Sequence, residues 1–254
     1  MLIDSHVHLN DGLLYDRRDE IIRDAAAAGV THCVCIGYDR FFSERAIAIA
    51  HEYENIYAVI GFHPSDIDKV TDADLEWLRD RARDERVVAI GEIGLDYYWD
   101  KSYAEKQREM FQKQIAIAND LKLPIVVHMR EAALDTYQII KNHKRQDLKG
   151  VMHCYSGSVE QMRLYLGLNM RISLAGPVTF KNARVSREVA REIPLSRLLI
   201  ETDAPYLAPH PFRGKQNEPK HLPLIAREIA IIRDQSLEEI ARSTAESTRE
   251  LFGF

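Results

Sequence analysis

Eight short apolar runs, separated by longer amphipathic stretches, constrain this sequence more than any other feature. They are Leu2–Leu9, His32–Gly37, Ile56–Phe62, Val87–Gly94, Pro124–Met129, Gly150–Tyr155, Arg171–Gly176 and Leu198–Asp203. Each is brief and mostly β-branched or aliphatic, as a parallel strand buried on both faces must be. Between them the apolar residues take helical spacing. Ile21, Ile22, Ala25 and Ala28 share one face; Phe111, Ile115 and Ala118 repeat at i, i+4, i+7, as do Ile225, Ile229 and Ile232. Ser236, with Glu239 three residues on, has the spacing of a capping box and announces a last helix. Gly29 and Gly150 fall just after helical stretches, where chain reversal needs φ > 0. Strand–helix alternation repeated eight times predicts an α/β fold: a (β/α)8 TIM barrel spanning residues 1–254 as a single domain. An open doubly wound sheet is the competitor.

Composition agrees. Hydrophobic residues make up 46% and charged residues 29% of the chain, enough apolar surface for a large core and too much for disorder. The net charge of −5 provides no broad basic surface for a polyanion. No run approaches the ~18 apolar residues of a membrane span. The first residues lack the basic and apolar regions of a signal peptide, and Cys33, Cys35 and Cys154 form no C-x-x-C. A cytoplasmic, reduced protein is expected.

The polar residues on the runs carry the chemistry. His6 and His8, two apart on the first strand, point to one side, with Asp4 one layer deeper. Glu92, His128, His153 and Asp203 lie near the ends of strands four, five, six and eight. From His8 the successive gaps are 84, 36, 25 and 50 residues; at about 32 per β/α unit (254/8) these are three, one, one and two units. His6, His8, Glu92, His128, His153 and Asp203 therefore gather at one rim. Six buried groups of metal-ligand type would make a poor core. They exceed what one catalytic zinc takes and suit two metals sharing a carboxylate, with Glu92 as the natural bridge. Two divalent cations less two carboxylates leave a local charge of about +2, which lets an acidic protein hold an anionic substrate.

The runs Asp4-Ser5-His6-Val7-His8, Gly61-Phe62-His63-Pro64, Gly91-Glu92-Ile93-Gly94-Leu95-Asp96-Tyr97, His128-Met129-Arg130 and His153-Cys154-Tyr155-Ser156-Gly157 occur in order. Glu201-Thr202-Asp203-Ala204-Pro205-Tyr206-Leu207 and Arg213-Gly214-Lys215-Gln216-Asn217-Glu218-Pro219 follow. Over nearly the whole chain this closely resembles the TatD family of metal-dependent deoxyribonucleases, within the amidohydrolase-like superfamily. The resemblance implies a two-metal phosphodiesterase. His6, His8, Glu92 and Asp203 would hold one ion, and Glu92, His128 and His153 the other. It implies 3′→5′ removal of nucleotides from single-stranded DNA. Zn²⁺, Mn²⁺ and Mg²⁺ are all candidates.

Roles follow from position. Asp203 and Glu92 are the expected catalytic carboxylates, Asp203 as the base. His63 either donates to a phosphate or fixes the loop before Pro64. Arg130, two past His128, is expected to clamp a phosphate or to pair with a carboxylate. Arg213 and Lys215, in the long loop Ala204–Pro219, are expected to face substrate. Tyr97, Tyr98, Trp99 and Tyr155 offer faces for a nucleobase or for packing. One rival is a barrel that binds metal or nucleic acid without turnover; the other is a binuclear hydrolase of a cyclic amide, lactone or nucleobase. Such sites often use a Lys on strand four, where this chain has Glu92.

Overall fold

The computed structural model describes residues 1–254. Its strands are β1 (Leu2–Val7), β2 (Val30–Ile36), β3 (Ile56–Ile60), β4 (Val87–Asp96), β5 (Ile125–Arg130), β6 (Gly150–Met152), β7 (Met170–Leu174) and β8 (Leu198–Ile200). They pair in parallel in sequence order, within one eight-stranded sheet. The helices are α1 (Arg18–Ala27), α2 (Arg40–Glu52), α3 (Asp72–Arg81), α4 (Ala104–Leu121), α5 (Ala133–His143), α6 (Val159–Gly167), α7 (Arg184–Glu192), α8 (Leu222–Arg233) and α9 (Leu237–Phe252). This is the predicted (β/α)8 TIM barrel. No helix is long and apolar enough to cross a membrane.

Alternation along the strands divides the core in two. Cys33 and Cys35 belong to a large apolar layer with Ile21, Ile47 and other helix residues, whereas Val34 and Ile36 join Val59, Val126, Val151 and Leu199 in a smaller cluster closed off by Leu251 and Phe252 of α9. This smaller set fills the barrel. The last step of the ring, from β8 back to β1, is made just beyond β8. Asp203 N–H donates to the His6 carbonyl at 3.0 Å, and His8 N–H to the Ala204 carbonyl at 2.8 Å. The Asp4 carboxylate crosses the same seam, accepting from Thr202 N–H at 2.9 Å and from the Thr202 hydroxyl.

Three details differ from the sequence reading. The sixth and eighth strands stop at Met152 and Ile200, so His153 and Asp203 sit on loops just past them. The chain leaves strand geometry at Cys154 (φ 43°) and Asp203 (φ 55°). Gly150 opens β6 and does not end a helix. Its small size serves packing, since a Cβ there would stand 2.6 Å from Met170 Cε. The predicted capping box of α9 is half formed: Ser236 accepts from Glu239 N–H at 3.1 Å, without the return bond found at the start of α3, where the Asp74 carboxylate accepts from Thr71 N–H.

Candidate metal centre and active site

At the carboxyl ends of the strands lies a cavity of about 540 Å³. Its wall includes His8, His63, Glu92, His128, Arg130, His153 and Asp203. Glu92 occupies the middle. It is placed by β4, whose Gly94 (φ +144°) approaches β5 so closely that a Cβ would lie 2.0 Å from the His128 carbonyl. Only glycine permits this. The close approach brings His128 beside Glu92.

The two oxygens of Glu92 face different partners. Oε2 lies 3.5 Å from His6 Nε2. Oε1 lies 3.0 Å from His128 Nδ1, 2.8 Å from His153 Nε2 and 3.5 Å from His63 Nε2. On the first side, His6 Nε2 and His8 Nε2 stand 3.3 Å apart, and Asp203 Oδ1 is 3.6 Å from the one and 3.4 Å from the other. These spacings are those of ligands about 2.1 Å from a common tetrahedral centre. His8 Nδ1 is matched to the Ile36 carbonyl at 3.1 Å, which puts the neutral ring's proton there and leaves Nε2 a lone pair aimed at His6 Nε2. Lone pairs and carboxylate oxygens thus converge, and His6 Nδ1 is buried with no partner at all. This donor set fits a cation.

Three of the four expected histidine ligands are held from behind. His8 has the Ile36 carbonyl. His128 Nε2 meets Asp96 Oδ2 at 2.9 Å, and His153 Nδ1 meets Glu201 Oε1 at 3.2 Å. Asp96 and Glu201 are buried, and sequence reasoning assigned neither a role. Such backing acceptors fix ring orientation and raise ligand basicity.

Electrostatics agree. Burial pushes the Glu92 carboxyl up, but the imidazoles of His153, His63 and His128 outweigh it and hold Glu92 well below the carboxylate range. Asp203 is likewise lowered against its burial by His8 and His6. His153 is raised well above its ordinary value: burial works against this, and Glu92 and Glu201 prevail. Glu92 and Asp203 are thereby held ionised within the cluster.

His63 differs from the other histidines. Its Nδ1 accepts from Ser65 N–H at 3.1 Å, so the neutral ring carries its proton on Nε2, toward Glu92. Burial, then His128, depress its pKa to about 3. The ring is therefore a neutral donor that also fixes the loop before Pro64. Arg130 is exposed at the cavity wall with its guanidinium over the Tyr98 ring. Arg213 and Lys215 are exposed on the long loop outside the wall, over Phe180 and Phe212. Tyr155, by contrast, is buried among the core residues.

Residues 3–253 match the sequence signature of the family described as TatD related DNase. The chain is 46% identical over 252 residues to YabD of Bacillus subtilis, named as a metal-dependent hydrolase, with 99% of each chain covered. It is 38% identical over 255 residues to YcfH of Escherichia coli, which bears the same description, covering 99% of this chain and 95% of the relative. The crystal structure of YjjV, a TatD homolog from Escherichia coli, superposes with a TM-score of 0.94 at 31% identity and covers 100% of this chain and 98% of its own. A barrel that matches end to end, with its ligand-type residues gathered at one mouth, places the chain in the TatD family of hydrolases.

Proposed function

We propose that this hydrolase cleaves phosphodiester bonds in DNA, removing nucleotides from the 3′ end of a single strand with two divalent metal ions. The observation that carries the reading is the division of Glu92, whose Oε2 faces His6 while Oε1 faces His128 and His153. One carboxylate shared between two donor groups is what a two-metal phosphodiesterase needs. His6, His8, Glu92 and Asp203 would hold one ion, and Glu92, His128 and His153 the other. Four imidazoles favour Zn²⁺ or Mn²⁺ over Mg²⁺, which prefers oxygen. When bound, such ions supply Lewis acidity toward a phosphoryl oxygen and lower the pKa of water.

The chain's own groups do the rest. Asp203, kept ionised, accepts the proton of the attacking water. His63 donates from Nε2 to a phosphoryl oxygen. Arg130 binds a phosphate at the cavity wall, and Arg213 and Lys215 hold the strand farther out. Three free cysteines suit a reducing cytoplasm.

The test is a digest by the metal-loaded protein of one single-stranded oligonucleotide labelled at either end, run beside cyclic amides and lactones. Mononucleotides released stepwise from the 3′ end are expected. Turnover of an amide or lactone with intact DNA would overturn the reading.

A further inference from the structure

Trp99 is 72% exposed and Tyr98 48%, next to each other in the turn that follows β4. Large aromatic rings this open are not held out by packing. Their rings meet edge to face, with centroids 4.8 Å apart. The turn is tied to the metal centre by one carboxylate. Asp96 accepts Tyr98 N–H on Oδ1 at 2.9 Å and faces His128 Nε2 with Oδ2 at 2.9 Å. Strand pairing brings Arg130 opposite Asp96, and Tyr97 N–H donates to the Arg130 carbonyl at 2.9 Å.

Arg130 is thus delivered onto the aromatic pair. Its guanidinium lies 3.7 Å from the Tyr98 ring centroid and 5.2 Å from that of Trp99. It forms no ion pair, so its N–H groups stay available to an anion while its flat face rests on Tyr98. The same side chain lines the cavity with His128 and Glu92. An unpaired cation between a ligand cluster and an open indole matches a phosphate followed by a planar base.

Resting on the proposed DNA reading, we infer that Trp99 is a stacking platform for an unpaired nucleobase next to the phosphate held by Arg130. It thereby selects single strands. In a duplex each base is already stacked and paired, so presenting one to Trp99 requires fraying of the end. Trp99 touches substrate and not the reacting atoms, so its effect belongs in KM.

The test compares the metal-loaded parent with Trp99→Ala and Trp99→Phe. The substrates are a single-stranded oligonucleotide, the blunt duplex, and the same single strand with abasic residues at its 3′ end. Trp99→Ala is expected to raise KM on the intact strand roughly ten-fold at unchanged kcat, with Trp99→Phe recovering most of it. The abasic strand should be equally poor for parent and Trp99→Ala. In a Trp77→Phe background, fluorescence from Trp99, then the only indole, should be quenched by single-stranded DNA in chelator, where no turnover occurs. Equal KM values for parent and Trp99→Ala, or equal losses on intact and abasic strands, would overturn the inference while cleavage by the parent upholds the nuclease reading. No cleavage of any oligonucleotide by the parent would overturn that reading, and this inference with it.

Discussion

Glu201 stands directly behind His153: its Oε1 takes the imidazole at Nδ1 from 3.2 Å while the opposite nitrogen reaches Glu92 at 2.8 Å. The same Oε1 accepts Cys154 N–H at 2.7 Å, so the carboxylate fixes the backbone and the ring together. Glu201→Gln keeps an acceptor and removes the charge. Metal affinity should fall about 10- to 100-fold. Chelator competition measures this, and an unchanged affinity would strip Glu201 of its role.

Glu92 turns one oxygen to each donor group, Oε2 to His6 and Oε1 to His128 and His153. Glu92→Ala should lose metal at both positions, with nearly all turnover. Elemental analysis decides the matter: full stoichiometry in the variant would refute the bridging assignment.

Asp203→Asn keeps shape and an oxygen ligand but cannot accept a proton. The expected result is partial retention of metal with kcat reduced by roughly 10²- to 10⁴-fold. A kcat within a few-fold of the parent would move the base elsewhere.

Asp4 provides a pH signature of the seam. Burial outweighs the hydrogen bonds from Thr202 and His6 and raises its pKa to about 7 from 3.8. The folded protein therefore keeps a proton that the unfolded chain has released in that interval. This contribution to stability is complete below about pH 4, declines as pH rises, and is gone above about 7. Asp4→Asn removes it. Against the parent, the variant should gain stability steadily as pH rises between those limits and nothing beyond. Thermal denaturation in chelator across that range measures the gap, and parallel curves would contradict the assignment.

Arg213 and Lys215 form no ion pairs, which frees them for phosphates outside the cavity. Replacing either by Ala should raise KM for a long oligonucleotide and flatten its salt dependence by about 0.7 in log–log slope. A short activated diester should be indifferent. Equal losses on both substrates would mean that the cations serve the loop and not the strand.

The barrel was legible because its eight buried strands are short, β-branched and evenly spaced, and that spacing alone brought the six ligand-type residues to one rim. Less was visible where residues act through others. Glu201 precedes Asp203 by two and Asp96 follows Glu92 by four, the same alternation that marked His6 and His8. Each carboxylate nonetheless reads singly as an ordinary strand-end residue. The exact ends of β6 and β8 were also hidden. The left-handed turns at Cys154 and Asp203 fall on residues with no intrinsic preference strong enough to announce them. Loop placement was least accessible, as with Arg213 and Lys215, whose distance from the cavity depends on how sixteen residues from Ala204 to Pro219 fold back.

The joint between β8 and β1 has a consequence for how damage spreads. The peptide groups that fasten the ring belong to His6, His8, Asp203 and Ala204, so the buckle of the barrel and its proposed metal centre are one object. A substitution far away, in α9 where it packs across both end strands, needs only to slacken that buckle to disarm the enzyme while seven of the eight staves stay in place.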